Sequence, residues 1–418
     1  MPGRLNAERS SPPSGGSRFR SVLSNRQYLI FLASSNAATV GYGVYAISIV
    51  WLTYSLSHSF LDVGIIIAIE YACYTLTFLT GPVVDRVRNQ RVIFVVSYPI
   101  QAVAAAAIGL GVLLHFLSIP VLFGLVAVIS ILWDMTWAAM NAAPGVLLTP
   151  DEQFAAAGIS GAIGGGVNIA GYAVGGALIL LVGADGGMLL YAALLVAGAV
   201  FALPLTIAPP PTPEKTFAES FWSGWGLVTG GEGRPFLQLA AVDSLQGFLA
   251  GGAALLITLL AATTYHASGA AYSILFVADI VGGVAAGLAL GQLNPRGAVG
   301  GIMAVALAAS GAALLLAVGL PASLVLGALA WTGFGFANSS YLDAKYAFYR
   351  GAIAPEKLGR FVSNMYLFPG AASVVGALLL GWVASLGRPV ALGGIAGGLF
   401  LAAGVLALAL PRVRRFAY

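Results

Sequence analysis

The sequence predicts an all-α polytopic membrane protein: twelve transmembrane helices arranged as two pseudo-symmetric six-helix bundles. Three observations carry this reading: the scarcity of charge, the number of apolar runs, and the sorting of the positive residues between them. The chain has 418 residues, of which 59% are hydrophobic and 8% charged, and its mean hydropathy is +0.93. A soluble domain carries about 25% charged residues because water surrounds it. A chain this poor in charge cannot cover a soluble surface of its own size, so lipid must be the solvent for most of it.

The elements follow in order. Residues 1–25 are rich in Ser, Pro, Gly and Arg and lack the apolar core of a signal peptide, so a disordered cytoplasmic tail is expected. A helix needs about 20 apolar residues to cross the hydrocarbon core. Runs of that kind fall at 28–54, 63–80, 92–115, 120–143, 155–182 and 187–208. A second set falls at 236–262, 270–291, 298–319, 321–346, 361–386 and 389–410. The divider between the fifth and sixth spans, Gly183 to Gly187, is very short. Residues 209–235 separate six spans from six. They begin with the stiff segment PPPTP, and Phe217, Phe221, Trp222, Trp225 and Val228 then recur at near-helical spacing, which predicts an interfacial amphipathic helix. The expected domains are thus a tail at 1–25, an N-terminal bundle at 26–208, a cytoplasmic linker at 209–235, a C-terminal bundle at 236–411 and a basic cytoplasmic tail at 412–418.

An even number of spans puts both termini on one side. With the N-terminus inside, the 19 Lys and Arg sort almost completely to the inner face, from Arg4 to Arg26, through Arg86, Arg88 and Arg91, to Arg412, Arg414 and Arg415. Only Arg388 falls outside, and Lys345 lies at the inner end of span ten, where its stem is expected to snorkel. This bias predicts a multi-pass protein of the cytoplasmic (inner) membrane with both termini in the cytoplasm. The positive residues form no continuous stripe, so nucleic acid is not an expected partner. The lone cysteine, Cys73, permits no disulfide within the chain, and nothing suggests a metal site. His58, His115 and His266 fall at the outer edge, as plain interfacial residues or as groups that sense pH.

The two halves echo each other at an offset of about 205–210 residues. Thr149-Pro150-Asp151-Glu152 before span five returns as Ala354-Pro355-Glu356-Lys357 before span eleven, each a helix start with Pro in the first turn and acid at the positive dipole end. Gly81-Pro82-Val83-Val84-Asp85-Arg86 returns as Gly291-Gln292-Leu293-Asn294-Pro295-Arg296. Asn36 finds Asp243, and Glu70 finds Asp279.

Gly81, Asp85, Arg86 and Arg91 in the loop after span two resemble the G-x-x-x-D-R-x-G-R-[RK] loop of the major facilitator superfamily, with Arg88 standing where that pattern has Gly. The resemblance covers residues 26–415. It implies parallel six-helix repeats around a midplane site, a cytoplasmic loop that latches the halves, and transport by alternating access. Pro355-Glu-Lys-Leu-Gly-Arg360, with Pro150-Asp-Glu152, is similar to the branch that holds drug, siderophore and macrolide efflux carriers. The antiporter signature of span five is kept in part: Gly171, Gly175 and Gly176 are present, with Tyr172 in place of Pro. The resemblance also implies that spans one, four, seven and ten line the cavity, while spans three, six, nine and twelve face lipid. No Asp, Glu, Lys or Arg lies inside the latter four.

Ionisable groups within spans are costly and therefore mark function. Asp134 falls about 15 residues into span four, roughly 21 Å down, and Asp243 about eight residues into span seven, roughly 12 Å in. Burial makes protonation of a carboxyl near neutral pH attainable, as a proton-coupling site requires. Asp243 and Asp134 are therefore the first candidates for coupling or binding, with structural hydrogen bonding as the other reading. Asn36, Trp137, Asn338, Gln246 and Tyr341 are further cavity candidates, together with Tyr42, Tyr45, Trp133 and Asn141. Glu70, Asp279 and Asp343 are candidates for a gate or an inter-bundle contact, with Asp343 expected to pair with a loop arginine. The span-five glycines allow close helix approach.

The expected partners are a small-molecule substrate, protons and the lipid bilayer. No HExxH, P-loop, GxSxG elbow or paired-Asp motif appears, and no long soluble loop is present to bind nucleotide. Neither an enzyme, a cofactor nor direct ATP drive is expected. The favoured activity is proton-coupled efflux of small amphipathic compounds. The alternatives are an importer or uniporter of a small polar solute, and a non-transporting sensor.

Overall fold

The computed structural model describes residues 15–76, 80, 83–84, 87, 89–207, 234–265, 269–293, 299–353 and 355–410. Among these residues there are thirteen α-helices and no strand. A short helix, α1 (Gly15–Ser24), precedes the first bundle: α2 (Arg26–Ser57), α3 (Phe60–Thr75), α4 (Arg91–Leu113), α5 (Ile119–Leu147), α6 (Pro150–Leu181) and α7 (Gly183–Ala202). The second bundle comprises α8 (Arg234–Leu259), α9 (Gly269–Leu293), α10 (Val299–Gly319), α11 (Leu324–Ala352), α12 (Pro355–Ser385) and α13 (Pro389–Ala409). A π-helical turn, Leu260–Thr264, prolongs α8. Helices α2 to α13 are the twelve spans.

Local chemistry sets the boundaries. The Asn25 side chain accepts a hydrogen bond from the Tyr28 backbone N–H at 3.1 Å and starts α2. Thr149 and Glu152 form the capping box that opens α6, with Pro150 in its first turn, as the Thr-Pro-Asp-Glu pattern predicts. Gly183 sits at φ +86°, and that left-handed residue lets α7 start two residues after α6 ends. His58 and His115 close α2 and α4 in the same left-handed region, at φ 51° and 59°. Both lie at the end of the molecule away from the start of α2, here termed the far end. The near end is the one where α2 begins and α13 finishes. His266 lies outside the described residues.

Most spans are long and apolar enough to cross a membrane on their own measure. α11 is an exception, because Asn338, Ser339, Ser340, Asp343, Lys345 and Arg350 all lie on it. The outer faces of α4, α7, α10 and α13 expose Val96, Val103, Leu110, Val200, Phe201, Val305, Leu316, Val390 and Val405. Apolar side chains spaced like this along four helices form a lipid-facing surface.

Packing shows the pseudo-symmetry directly. In the first bundle α2 packs on α6 and α7, α3 on α5, and α4 on α5 and α7. In the second, α8 packs on α12 and α13, α9 on α11, and α10 on α11 and α13. Exchange of the halves maps each pair onto its counterpart. The main contacts between bundles, α3 with α12 and α6 with α9, are exchanged by the same operation.

One expectation is corrected here. Residues 15–24 belong to a helix rather than to a disordered tail. α1 packs on α6, Val22 is fully buried, and the Ser21 hydroxyl donates to the Glu152 carboxylate. Among its described side chains, buried Val22 and the Ser21 contact help to hold a segment that composition alone assigns to solvent. The linker helix expected at 217–228 and the basic tail at 412–418 lie outside the described residues.

Candidate functional site

The site is built at the seam between the bundles, and small residues make that seam tight. At the far end a Cβ added at Gly64 of α3 would stand 3.0 Å from the Cα of Gly381 of α12. Ser273 Oγ of α9 donates to the Gly176 carbonyl of α6 at 3.1 Å, and the rings of Trp51 and Tyr272 stack at 5.1 Å. The span-five glycines divide the work. A Cβ on Gly171 would lie 2.6 Å from the Val40 carbonyl oxygen, and one on Gly175 would lie 2.9 Å from the Val44 Cα, so both let α6 settle on α2. Gly176 instead faces Ser273 across the seam.

Below this seal lies a cavity of about 420 Å³. It is lined by Thr39, Tyr42, Ala46 and Val50 of α2, Ile67, Glu70, Tyr71 and Tyr74 of α3, and Ser130, Trp133, Asp134 and Trp137 of α5. Asn168 and Tyr172 of α6, Gly251 and Ala254 of α8, and Phe276 of α9 complete the wall. Tyr42 and Trp133 stack face to face, 4.1 Å apart and 4° from parallel. Tyr172 stacks on Phe276 across the seam at 5.6 Å. Asp134 accepts a hydrogen bond from Thr80 Oγ1 at 2.6 Å. Glu70 has no ion-pair partner among the described residues, and the Tyr45 hydroxyl lies beside it.

The structure thus brings Asp134, Trp137 and Glu70 together at one cavity. Asp243, Tyr341, Gln246 and Asn338 lie elsewhere, inside the C-terminal bundle between α8 and α11. Asn36 is half-buried on α2 and is not part of the lining. The expectation that span ten lines the cavity is therefore corrected: α2, α5 and α8 do, α11 does not, and α3, α6 and α9 take part instead. The reason is visible on α11, whose Asn338, Tyr341, Lys345 and Tyr349 side chains are drawn into contacts with α8.

Those contacts centre on a buried carboxylate. Lys345 Nζ donates to Asp243 Oδ1 at 3.0 Å, the one ion pair between described residues. Tyr341 OH donates to the same oxygen, and Tyr349 OH donates to Oδ2 at 3.1 Å. Asp243 is 1% and Lys345 3% exposed. The ammonium also lies 5.6–5.8 Å from the ring centres of Tyr341, Tyr346 and Tyr366. Lys345 therefore does not snorkel, because an internal carboxylate and three ring faces solvate it instead. Next along the bundle, Gln246 Nε2 donates to Asn338 Oδ1 at 3.1 Å.

The remaining candidates separate. Asp279 lies on α9, with its carbonyl and carboxyl oxygens close against Gly335 of α11. Asp343 borders a second cavity of about 340 Å³ with Arg350, Gly287, Leu290 and Ile302, all on α9, α10 and α11. It therefore lies within one bundle and not at an inter-bundle gate. In the latch loop Arg91 opens α4, its backbone N–H bonded to Asn89 Oδ1 at 3.1 Å, while Gly81, Asp85 and Arg86 lie outside the described residues.

No protein-family model and no curated protein matches the chain. Solved structures do match. The nucleoside transporter NupG gives a TM-score of 0.74 at 13% identity, covering 92% of this chain and 98% of that one. A POT family transporter in complex with a thioalcohol-conjugated peptide gives 0.69 at 13% identity, covering 93% and 96%. A peptide transporter POT mutant in complex with alafosfalin gives 0.68 at 15% identity, covering 97% and 100%. The fold is shared. At these identities the likeness is one of fold, and it agrees with the twelve-helix architecture that the latch-loop resemblance implies.

Sequence reasoning missed several residues of the site. Lys345 and Tyr349 join Tyr341 through a spacing of four, which places all three on one helix face. That spacing, opposite an acid in span seven, was the available signal. Tyr71, Tyr74, Asn168 and Phe276 carried none, since an aromatic or amide in a span reads equally well as packing.

Proposed function

We propose that the protein is a secondary transporter working by alternating access, which exports small amphipathic compounds in exchange for protons. The observation that carries this reading is the cavity at the seam: lined by both bundles, sealed at the far end by small-residue and ring contacts, and walled by aromatics with two carboxyls. Rocking the bundles about the α3–α12 and α6–α9 contacts would open that seal and expose the same cavity to the other side. The sorting of Lys and Arg supports an inner-membrane location with both termini cytoplasmic. In that orientation the far end faces outward.

Glu70 is the coupling acid in this account. A carboxylate with no cationic partner among the described residues, on a cavity wall between the bundles, is costly to occlude unless a proton or a cargo charge neutralises it. Asp134, already bonded to Thr80, is its accessory. Asp243 is neutralised within its bundle and serves to hold α8 against α11.

A second reading, import or uniport of a small polar solute, is favoured by Thr39, Ser130 and Asn168 on the same wall. The test is flux of a candidate panel by purified protein in liposomes, with and without a pH gradient. Proton exchange requires gradient-driven accumulation that Glu70→Gln abolishes. Flux indifferent to the gradient in the parent protein would overturn the coupling.

A further inference from the structure

We propose that the cargo of the seam cavity is an organic cation with a flat aromatic face, held at Glu70 and against the Tyr42–Trp133 stack. The proposal rests on the transport reading above and names its substrate class. Three features of the cavity point to it.

The first is charge. Glu70 and Asp134 are the carboxylic acids among the described residues of the lining, and no Lys, Arg or His is among those residues. Asp134 accepts from the Thr80 hydroxyl and Glu70 lies beside the Tyr45 hydroxyl, but Glu70 has no ion pair among the described residues. Attraction between unit charges grows as the effective dielectric falls, so a monocation entering this wall gains more than it would in water. An anion of the same shape would be repelled, and a neutral molecule would leave Glu70 uncompensated.

The second is the wall. Tyr42 and Trp133, stacked at 4.1 Å, both line the cavity, as do Tyr172 and Phe276, stacked at 5.6 Å. Ring faces carry negative quadrupole charge and attract cations, and they also stack on a flat aromatic guest. A volume of about 420 Å³ suits a molecule of two or three rings.

The third is an internal precedent. The chain already solvates one buried ammonium, that of Lys345, with one carboxylate and three tyrosine rings. The seam cavity offers the same combination of carboxylate and rings. Because the carboxylate accepts either a proton or the guest, binding releases a proton from the protonated protein and weakens as pH falls.

The test uses three probes of one two-ring skeleton: N-methylphenylpyridinium (cation), phenylpyridine N-oxide (neutral) and biphenylcarboxylate (anion). Their affinities for the full-length protein are measured at equilibrium in detergent, with no membrane gradient. The cation is expected to bind at least about tenfold more tightly than the other two. Glu70→Gln is expected to erase that preference, while Glu70→Asp retains it. Equal or tighter binding of the neutral or anionic probe overturns the proposal. So does cation binding unchanged in Glu70→Gln, or no binding of any probe up to about 1 mM. If Glu70→Gln does not fold, the ranking of the three probes on the parent protein still decides. Cation binding without flux in liposomes would sink the transport reading and leave the site standing. Proton-driven flux of a neutral or anionic solute would do the reverse.

Discussion

Replacing Lys345 by Met would strand the Asp243 carboxylate inside the C-terminal bundle with only the Tyr341 and Tyr349 hydroxyls to solvate it. Both members of the pair are almost wholly buried, so water cannot take over. Removing one partner of a buried ion pair costs about 3–5 kcal/mol, whereas replacing both by apolar groups of similar size is often neutral. Lys345→Met and Asp243→Leu are therefore each expected to destabilise the bundle by that amount. The double variant should recover most of it, giving a coupling of at least about 2 kcal/mol. Tyr349→Phe removes one hydrogen bond to a charged group and should cost about 1.5–3 kcal/mol. The assay is reversible chemical unfolding in mixed micelles, followed by circular dichroism. Single variants within about 0.5 kcal/mol of the parent, or a strictly additive double, would refute the reasoning.

Further outcomes follow from the helix seams and from α1. Gly171→Leu drives a side chain into the Val40 carbonyl and is expected to cost about 1–3 kcal/mol or prevent folding. Gly166→Ala, whose Cβ would meet nothing within 4 Å, should be neutral or gain up to about 1 kcal/mol in the same unfolding assay. The Ser21 hydroxyl, with the Thr149 backbone and hydroxyl, holds the Glu152 carboxyl below its ordinary range. A carboxyl depressed in the folded state stabilises it above the unfolded pKa of about 4.3, and that contribution is lost as pH falls through the folded value. A spin label at position 20, in a Cys73→Ser background, should therefore stay immobilised from neutral pH down to that range and loosen below it. Glu152→Gln should loosen it at every pH, and a label whose mobility ignores both changes would contradict the contact.

The bundle architecture was legible in the sequence because lipid imposes one rule on every span, and the rule is additive along the chain. Apolar length, the arginine bias and the Thr149-Pro150-Asp151-Glu152 start each speak without knowledge of neighbours. The divider after span five is narrower than its glycines suggest: Gly183 takes a left-handed φ and α7 starts there, so residues 183–187 lie in the helix. The site was only partly legible. Asp134, Glu70 and Trp137 stood out as polar or amphipathic groups in apolar runs, and they meet at the cavity. Asp243 stood out equally, but a lone carboxylate in a sequence does not show whether its counter-charge is a partner helix or a ligand. Here Lys345 answers that, and its place near the end of span ten disguised it as a snorkelling residue. Val22 shows the opposite failure, a buried contact made by a segment whose composition suits solvent.

The central claim is that the far-end seal must open during each cycle. Cysteines at positions 176 and 273 test it, because a Cβ at Gly176 would lie 3.1 Å from the Cβ of Ser273, near enough for a disulfide after a small shift. In liposomes, Gly176→Cys with Ser273→Cys on a Cys73→Ser background should carry solute when reduced, stop when oxidised and resume when reduced again. Unchanged flux through the fully cross-linked protein would contradict alternating access at this seam.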